Sequence, residues 1–562
     1  MSVSRRQFMQ RSAVAAMSAA LPLRLSYHQA PWYPWLDRDD DRHRLARQAG
    51  AVDPSVMRAL AARALEAARA AGATYADVRL TRTVNEQFAF PSPDNRGAFA
   101  NDQEQLGVGV RALVNGYWGF AASPYWVTDE MSELAQAAVT MAKANALGTP
   151  REVSLGTIPA PVGTWSTPIR LDPFAVPIEE KIDFMNAWRQ AADDTRGVPV
   201  LVESSFCAME FKRQERYVAS TEGMDTMQTL YMSGGSFQIG CASREWRKRM
   251  QGQSTGMLGN GTDRQGKGWE LFLDAKLRDQ IPALMDEAAA TMVVPRKPVQ
   301  IGRFDVVFDA TTTAAILTQT VGIATQLDRA LGFEANGGGT SYLGPDPLTM
   351  LGTFQVGAPS FTVTANRSLP NGLATVGWDD EGVVPRDFTL VKDGVLTDYQ
   401  TTREQAAWIA PWYQKQGRAV QSNACAAADS ALSITMQMAP NLAMAPSATS
   451  TSFDDLVANT TRGFAITRGF AATDAPARNG WGFGRIREIN NGKLGAFIQG
   501  AGYLFTSTEL WKNLVGIGGA NSVAHVATSL SKGQPEQEVM CTVSAVPGKF
   551  KNVSIFDVMR NG

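Results

Sequence analysis

Apolar positions along this chain recur first at helical spacing and later, in the second half, as short strand-like runs. Residues 54–71 carry the helical rhythm, Gly72 stops it, and a strand follows over 75–82. Residues 107–119, GVGVRALVNGYWG, read as strand, turn and strand, because Asn115-Gly116 tolerates the left-handed backbone of a tight hairpin. Thr128 is expected to cap the next helix, which runs to about residue 145, with Asp129 and Glu130 in the first turn where negative charge suits the dipole. A Pro-rich connector occupies 150–177. A helix over 178–193 then leads into alternating strands from 200 to 243, broken by the turn Ser220-Thr221-Glu222-Gly223. A Gly/Ser/Gln-rich loop at 251–268 and an amphipathic helix over about 277–292 complete this half.

Arg296-Lys297-Pro298 marks the expected domain boundary, beyond which apolar runs are short, Gly is frequent and helices are few. The predicted fold class is α+β. An N-terminal α/β domain over 54–295 places helices on a mixed or antiparallel sheet, and a β-rich domain over 298–562 is barrel- or sandwich-like. Within the second domain, residues 304–310, FDVVFDA, form an apolar strand ending in a turn. Residues 314–328, AAILTQTVGIATQLD, follow with Ile316, Leu317, Val321, Ile323 and Leu327 at mostly helical spacing, a helix packed on that strand. A Gly-rich loop comes next, Asn336-Gly337-Gly338-Gly339-Thr340-Ser341.

Composition narrows the chemistry. The 562 residues are 44% hydrophobic and 19% charged, enough for two or three globular domains, and a net charge of −1 gives no electrostatic reason to expect nucleic acid or an anionic membrane as partner. The three histidines are His28, His43 and His525, and the first two lie in or near an N-terminal leader and tail. Imidazole is the commonest ligand of catalytic zinc, usually two or three per site, so one remaining histidine argues against a histidine-based zinc centre, and the Ser/Ala segment around His525 argues against a Ser/His/Asp triad. Ser4-Arg5-Arg6-Gln7-Phe8-Met9-Gln10 followed by a mildly apolar run at 13–23 reads as a twin-arginine export signal over 1–30, with an irregular Pro/Trp-rich and acidic tail at 31–53. The expected location is the periplasm or beyond, without membrane insertion, and Trp32, Tyr33 and Trp35 of the tail are expected to dock on this chain or on a partner. Cys207, Cys241, Cys425 and Cys541 are widely spaced, and a chain folded before export carries them as buried thiols. Cys425 and Cys541 as zinc ligands is the sharper alternative.

The strand, turn, helix and Gly-rich loop at 304–341 resemble the TldD/TldE (PmbA) family of zinc metallopeptidases. Further signatures follow in order: Ala76-Asp77-Val78-Arg79, Gly107 to Arg111, Gly116-Tyr117-Trp118-Gly119-Phe120, Ala142-Lys143-Ala144, Asp379-Asp380-Glu381-Gly382, the hairpin Lys392-Asp393-Gly394-Val395-Leu396, and Thr402-Arg403-Glu404-Gln405-Ala406. The resemblance implies a motif His-Glu-x-x-x-His on the helix, with a later Cys completing the zinc ligands and the Glu acting as general base. Here Thr318, Gln319 and Ile323 stand at the helix positions, and Leu530 stands at the Cys position in Leu530-Ser531-Lys532-Gly533-Gln534-Pro535. Asp328 matches an acid that follows the motif. Histidines five apart lie roughly 140° apart on a straight α-helix, so the motif requires a local distortion, and Gly322 sits where one would fall.

These readings imply a non-catalytic, TldE-like subunit with no metal or cofactor of its own, zinc being expected only in a TldD-like partner. By the resemblance the pair cleaves small or unfolded peptides. Asn336 to Ser341 are the expected peptide-binding residues, where glycine lets a ligand approach the backbone closely. Two alternatives stand beside this: a peptidase working alone through an unrelated carboxylate site, and a homodimeric periplasmic peptide-binding protein. Asp379-Asp380-Glu381 is read as a structural turn whose acids accept backbone hydrogen bonds in preference to a hard-metal cluster. The run at 261–268, GTDRQGKG, ends in Gly and lacks the strand and helix that a phosphate loop needs. The basic run Arg244-Glu245-Trp246-Arg247-Lys248-Arg249 is read as a solvated strand face.

Overall fold

Long antiparallel pairing organises the N-terminal half. The structure, a computed structural model, describes residues 53–90, 99–147, 153–193, 200–243, 257–276, 279–283, 286, 299–498 and 500–557. The export signal, the aromatic and acidic tail, the basic run at 244–249, the boundary at 296–298 and most of the helix expected over 277–292 lie outside the described residues. Helix α1 (Pro54–Ala70) is followed by β1 (Tyr75–Phe90), β2 (Phe99–Val114) and β3 (Tyr117–Ser123), then α2 (Glu130–Asn145), β4 (Val162–Ser166) and α3 (Ile178–Asp193). Strands β5 (Val200–Ser220), β6 (Asp225–Ser243) and β7 (Met257–Gln265) and the short α4 (Glu270–Ala275) complete this half. The sheet order is β3-β2-β1-β5-β6-β4, with β7 on β6 and only β4 parallel to its neighbour. The β2–β3 turn is the expected hairpin, with Asn115 and Gly116 both at positive φ.

Three expectations change here. Strand β1 runs well past residue 82, because β2 and β5 pair with it in unbroken register. The Gly-rich run at 257–265 is a strand and not a loop, since main-chain pairing with β6 outweighs the low strand propensity of glycine. Thr128 does not cap α2: Asp129 occupies the cap without a side-chain bond, and a turn bond from Glu130 N–H to the Val127 carbonyl stands in its place.

Alternation along the strands gives the sheet two different faces. One buries Val78, Leu80, Val108 and Val110 under Met57 and Leu60 of α1 and Met131 and Val139 of α2. Farther along, Trp188, Phe211, Trp269 and Phe272 form an aromatic cluster, with Trp269 and Phe272 ring centroids 5.3 Å apart. The opposite face carries Asp77, Arg79, Thr81, Arg111, Gln214 and Arg216, all buried.

What buries that polar face is the C-terminal half. Its elements are β8 (Gly302–Phe308), α5 (Ala310–Leu317), α6 (Leu327–Ala330), β9 (Val363–Asn366), β10 (Phe388–Lys392), β11 (Val395–Leu396), α7 (Arg403–Trp408), β12 (Ala426–Ala427), β13 (Met436–Gln437) and β14 (Asn441–Met444). Then come α8 (Phe453–Ala458), β15 (Arg462–Thr473), β16 (Asn479–Asn490), β17 (Lys493–Ile498), β18 (Ala501–Thr506), β19 (Leu514–Ile517), β20 (Ala524–Lys532), β21 (Gln537–Ala545) and β22 (Gly548–Asp557). Strands β15, β8, β22, β18 and β16 pair in sequence and β16 pairs back to β15, closing a five-stranded barrel. A mixed sheet of order β11-β10-β9-β14-β21-β20 lies beside it, and one large core joins the two. The fold is therefore α+β with a barrel, as the sequence predicts. Residues from Val52 onward pack as one unit, and among the described residues no helix is long and apolar enough to cross a membrane.

The joint between the halves is ionic. Asp380 lies between Arg79, at 2.8 Å, and Arg216, at 2.5 Å, and also accepts from the Ala428 amide. Glu381 accepts from Arg111 at 3.1 Å and from the Arg403 amide, while Arg111 also pairs with Asp77 at 2.8 Å. Gly109 faces the same joint, where a Cβ would come within 2.1 Å of the Ala431 carbonyl oxygen. Removing one side of a buried pair strands its partner without water, which costs about 3–5 kcal/mol. Asp380→Ala is therefore expected to lower the free energy of unfolding by about that amount, read from the denaturant midpoint. A loss below about 1 kcal/mol would show that the joint is not formed as described.

Candidate functional site

The segment after β8 departs from a regular helix at one place. Helix α5 ends at Leu317, and Thr318–Gly322 form a π turn closed by the bond from Ile323 N–H to the Thr318 carbonyl at 3.0 Å. The helix expected through residue 328 thus has a break: Gln326 is extended, and α6 begins again at Leu327. The π turn is the distortion that brings positions five apart, 318 and 323, toward one side. Gly322 fits it for a packing reason, since a Cβ there would stand 2.9 Å from Leu442 Cδ1 on β14.

The four positions compared with the motif do not fit zinc. The Thr318 hydroxyl is buried and donates to the Ala314 carbonyl at 2.9 Å, and Ile323 and Leu530 offer only carbon. Gln319 is half-buried, and its amide makes no hydrogen bond among the described residues. Ala315, Gln319 and Ile323 form the accessible stripe of this helix, which otherwise packs on β15, β20 and β21. Among the described residues no group of three or more His, Cys, Asp and Glu side chains is placed to hold a metal ion. His525 lies exposed on β20 with Nδ1 2.7 Å from Ser544 Oγ. Cys207, Cys425 and Cys541 are buried free thiols, and burial pushes Cys425 and Cys541 up to about 12.

Behind the stripe runs a buried polar relay. The Gly322 carbonyl, next to the π turn, accepts from Gln400 Nε2 at 2.7 Å. Gln400 Oε1 accepts from Gln437 at 3.0 Å, and Gln437 Oε1 accepts from Lys532 Nζ at 2.7 Å. Lys532 also pairs with Asp328 at 2.5 Å and reaches Gln326 Oε1 at 3.4 Å. Burial lowers the affinity of Lys532 for its proton and Asp328 opposes this, burial having the larger effect. Lys532 lies two residues along β20 from Leu530, so both face inward.

The Gly-rich loop closes over this relay. Arg329 donates to Gln326 Oε1 at 2.9 Å and to the Gly338 carbonyl, and Glu334 accepts from the Gly533 amide at 2.9 Å. Gly339 has φ +93°, and a Cβ there would stand 2.5 Å from the Ala475 carbonyl oxygen. Ser341 is buried and donates to the Ala324 carbonyl. The close approach that the glycines permit is thus made by the chain itself. Of the loop, Asn336 and Gly337 are exposed, and Gly338 and Thr340 are half-buried. Gln534 donates to the Asn336 carbonyl at 3.2 Å, which ties the loop to the segment after Leu530.

The acidic turn belongs to the ionic joint. Asp379 is the acid of the three that forms no salt bridge among the described residues: it accepts from the amides of Glu381, Val383 and Ala426 at 2.9, 2.8 and 3.2 Å, with the Arg367 charge nearby. Sequence reasoning anticipated those backbone bonds but missed the arginines opposite Asp380 and Glu381. A period-2 reading of Asp77-Val78-Arg79 and Gly109-Val110-Arg111 would have placed Arg79 and Arg111 on one face. Nothing in the sequence joins Gln326, Gln400, Gln437 and Lys532.

Comparison with known proteins places the chain by family and fold. Residues 301–543 match the PmbA/TldA metallopeptidase C-terminal domain, and residues 98–142 match PmbA/TldA metallopeptidase domain 1. The chain belongs to the PmbA/TldD/TldE family. A relative in Methanocaldococcus jannaschii, named as the metalloprotease MJ0996, is 24% identical over 348 residues, 61% of this chain and 70% of that protein. TldE from Thermococcus kodakarensis shares the fold, with TM-score 0.61 and 16% identity, covering 89% of this chain and 99% of that one. A Thermotoga maritima protein described as a proposed modulator of a DNA gyrase does so too, at TM-score 0.64 and 15% identity over 88% and 99% of the two chains.

Burial, and after it the Glu381 charge, raise the Asp379 carboxyl to about 7 against its backbone bonds, whereas at Asp380 the same burial is outweighed by Arg216 and Arg79, which hold it low. An acid whose folded pKa exceeds its unfolded value of 3.8 stabilises the fold fully at low pH, and that contribution falls as pH rises from about 4 to 7. Against Asp379→Asn, the native protein is therefore expected to lose thermal stability progressively across that window. Parallel curves for the two proteins would refute it.

Proposed function

We propose that this chain is a non-catalytic, TldE-like subunit of an exported metallopeptidase assembly acting on small or unfolded peptides. The observation that carries this reading is the helix carrying the motif positions: its π turn keeps the geometry that a five-residue ligand spacing needs, while its accessible stripe offers a neutral amide and two alkyl groups. Gln319 has no basic lone pair to take a proton from water, so this surface binds without turning substrate over. Thr473, whose hydroxyl donates to the Gln319 carbonyl, adds a neutral hydrogen-bonding group beside it. Strand β20 ends its sheet, and an extended peptide can add along such an edge through main-chain bonds. The catalytic partner is a family member that carries His-Glu-x-x-x-His. The twin-arginine run at Ser4 to Gln10 supports export of the folded chain.

Metal content and peptidase activity of the purified chain test the reading directly. We expect no stoichiometric zinc and no turnover alone, and co-purification from the native source with a chain that carries the full motif. Stoichiometric metal with turnover in the partner-free protein would overturn it, and recovery as a lone homodimer would favour the peptide-binding alternative. Scaffold retention has its own test. Thr318→His, Gln319→Glu, Ile323→His and Leu530→Cys combined are expected to take up about one equivalent of zinc that the native chain does not bind. Failure of the folded variant to bind zinc would show that the π turn does not hold the geometry of the site.

A further inference from the structure

A separate cavity lies on the barrel wall turned away from the main core. Its volume is about 400 Å³, with an apolar side made by Phe453 of α8 and by Leu494 and Phe497 of β17, and a charged side made by Arg485 and Arg487 of β16 and by Asp286. The register explains the placement. Arg485 lies opposite Thr467 and Arg487 opposite Ala465, so both arginines share the outer face of β15–β16, while Ile486 between them points into the core.

Arg487 is fixed in place. Its Nε donates to the Gly495 carbonyl at 2.7 Å, one terminal nitrogen donates to the Leu494 carbonyl at 3.5 Å, and its Cζ sits 5.0 Å from the Phe497 ring centroid. It is half-buried and pairs with no carboxylate among the described residues. A guanidinium held on one edge by carbonyls and below by a ring keeps its other edge for an anion, and the ordering entropy of binding there is already lost. A space of this size with apolar walls and a few fixed polar groups suits a small molecule rather than a macromolecular segment.

We infer that this cavity is a binding site for a small anionic amphiphile, an aryl or short acyl group carrying one carboxylate, with Arg487 receiving the anion and Phe453, Leu494 and Phe497 enclosing the apolar body. The site lies across the barrel wall from the main core and does not depend on the peptide reading above.

Calorimetric titration of the full chain with phenylbutyrate, decanoate and the neutral phenylbutyramide tests it. Binding of at least one carboxylate is expected, about tenfold tighter than the amide, because the amide loses the charge-assisted bond. Arg487→Gln is expected to remove that tenfold preference, and Arg487→Lys to keep part of it. Leu494→Trp, which fills the cavity and leaves Arg487 in place, is expected to abolish binding, and it carries the test if the arginine variants do not fold. The inference is overturned if neither carboxylate binds, if the amide binds as well as phenylbutyrate, or if Leu494→Trp binds unchanged. Phenylbutyrate and decanoate together distinguish an aryl from an acyl ligand.

Discussion

Asp380, held between Arg79 and Arg216, is the contact on which the rest of the molecule depends. A seven-stranded sheet has two faces, and here only one is apolar. The other would be an ordinary solvated surface, yet it is buried, and it remains soluble in protein only because the acidic turn of the C-terminal half meets its arginines. Buried ion pairs seldom add net stability, since desolvation offsets most of the attraction. What they supply is selectivity: a shift of the turn by one residue would set Asp379 or Glu381 against the two guanidiniums and strand Asp380. The joint therefore sets the register between the halves, and Gly109 lets the Ala431 backbone close over it.

That register matters for the candidate site because the turn and the site share a segment. The Arg403 amide binds Glu381, and Glu404, next in the chain, accepts from Trp118 Nε1 at 2.7 Å. Three residues before Arg403 is Gln400, which holds the Gly322 carbonyl beside the π turn. The ionic joint and the polar relay thus meet within residues 400–404. A side chain that opens one perturbs the other.

Much of the fold was legible because it is local. Helical and alternating rhythms and the Asn115-Gly116 hairpin follow from neighbours in the chain. What escaped is non-local. The length of β1 depends on partners at 99–114 and 200–220, and the conversion of a Gly-rich loop into β7 depends on β6. At the site, the demand for a distortion near Gly322 came only through the resemblance, whose five-residue ligand spacing does not fit a 3.6-residue helix. The relay was not readable, because Gln326, Gln400, Gln437 and Lys532 lie far apart in the chain and no local pattern links them.

The relay also separates the positions that folding holds from those it leaves open. Asp328 and Lys532 are buried and charged, so replacing either one strands its partner in a medium without water, and the cost falls on folding whether or not any chemistry is performed. Gln319 and Ile323 reach the surface, where exchange of one side chain for another costs the fold little. Thr318 and Leu530 are buried but self-sufficient, one bonded to its own helix and the other wholly apolar. Exchange is therefore cheap at 319 and 323, while the buried Asp328–Lys532 pair is held by folding. Folding constraint alone then holds the π turn and the closed loop in place, whatever the accessible surface does.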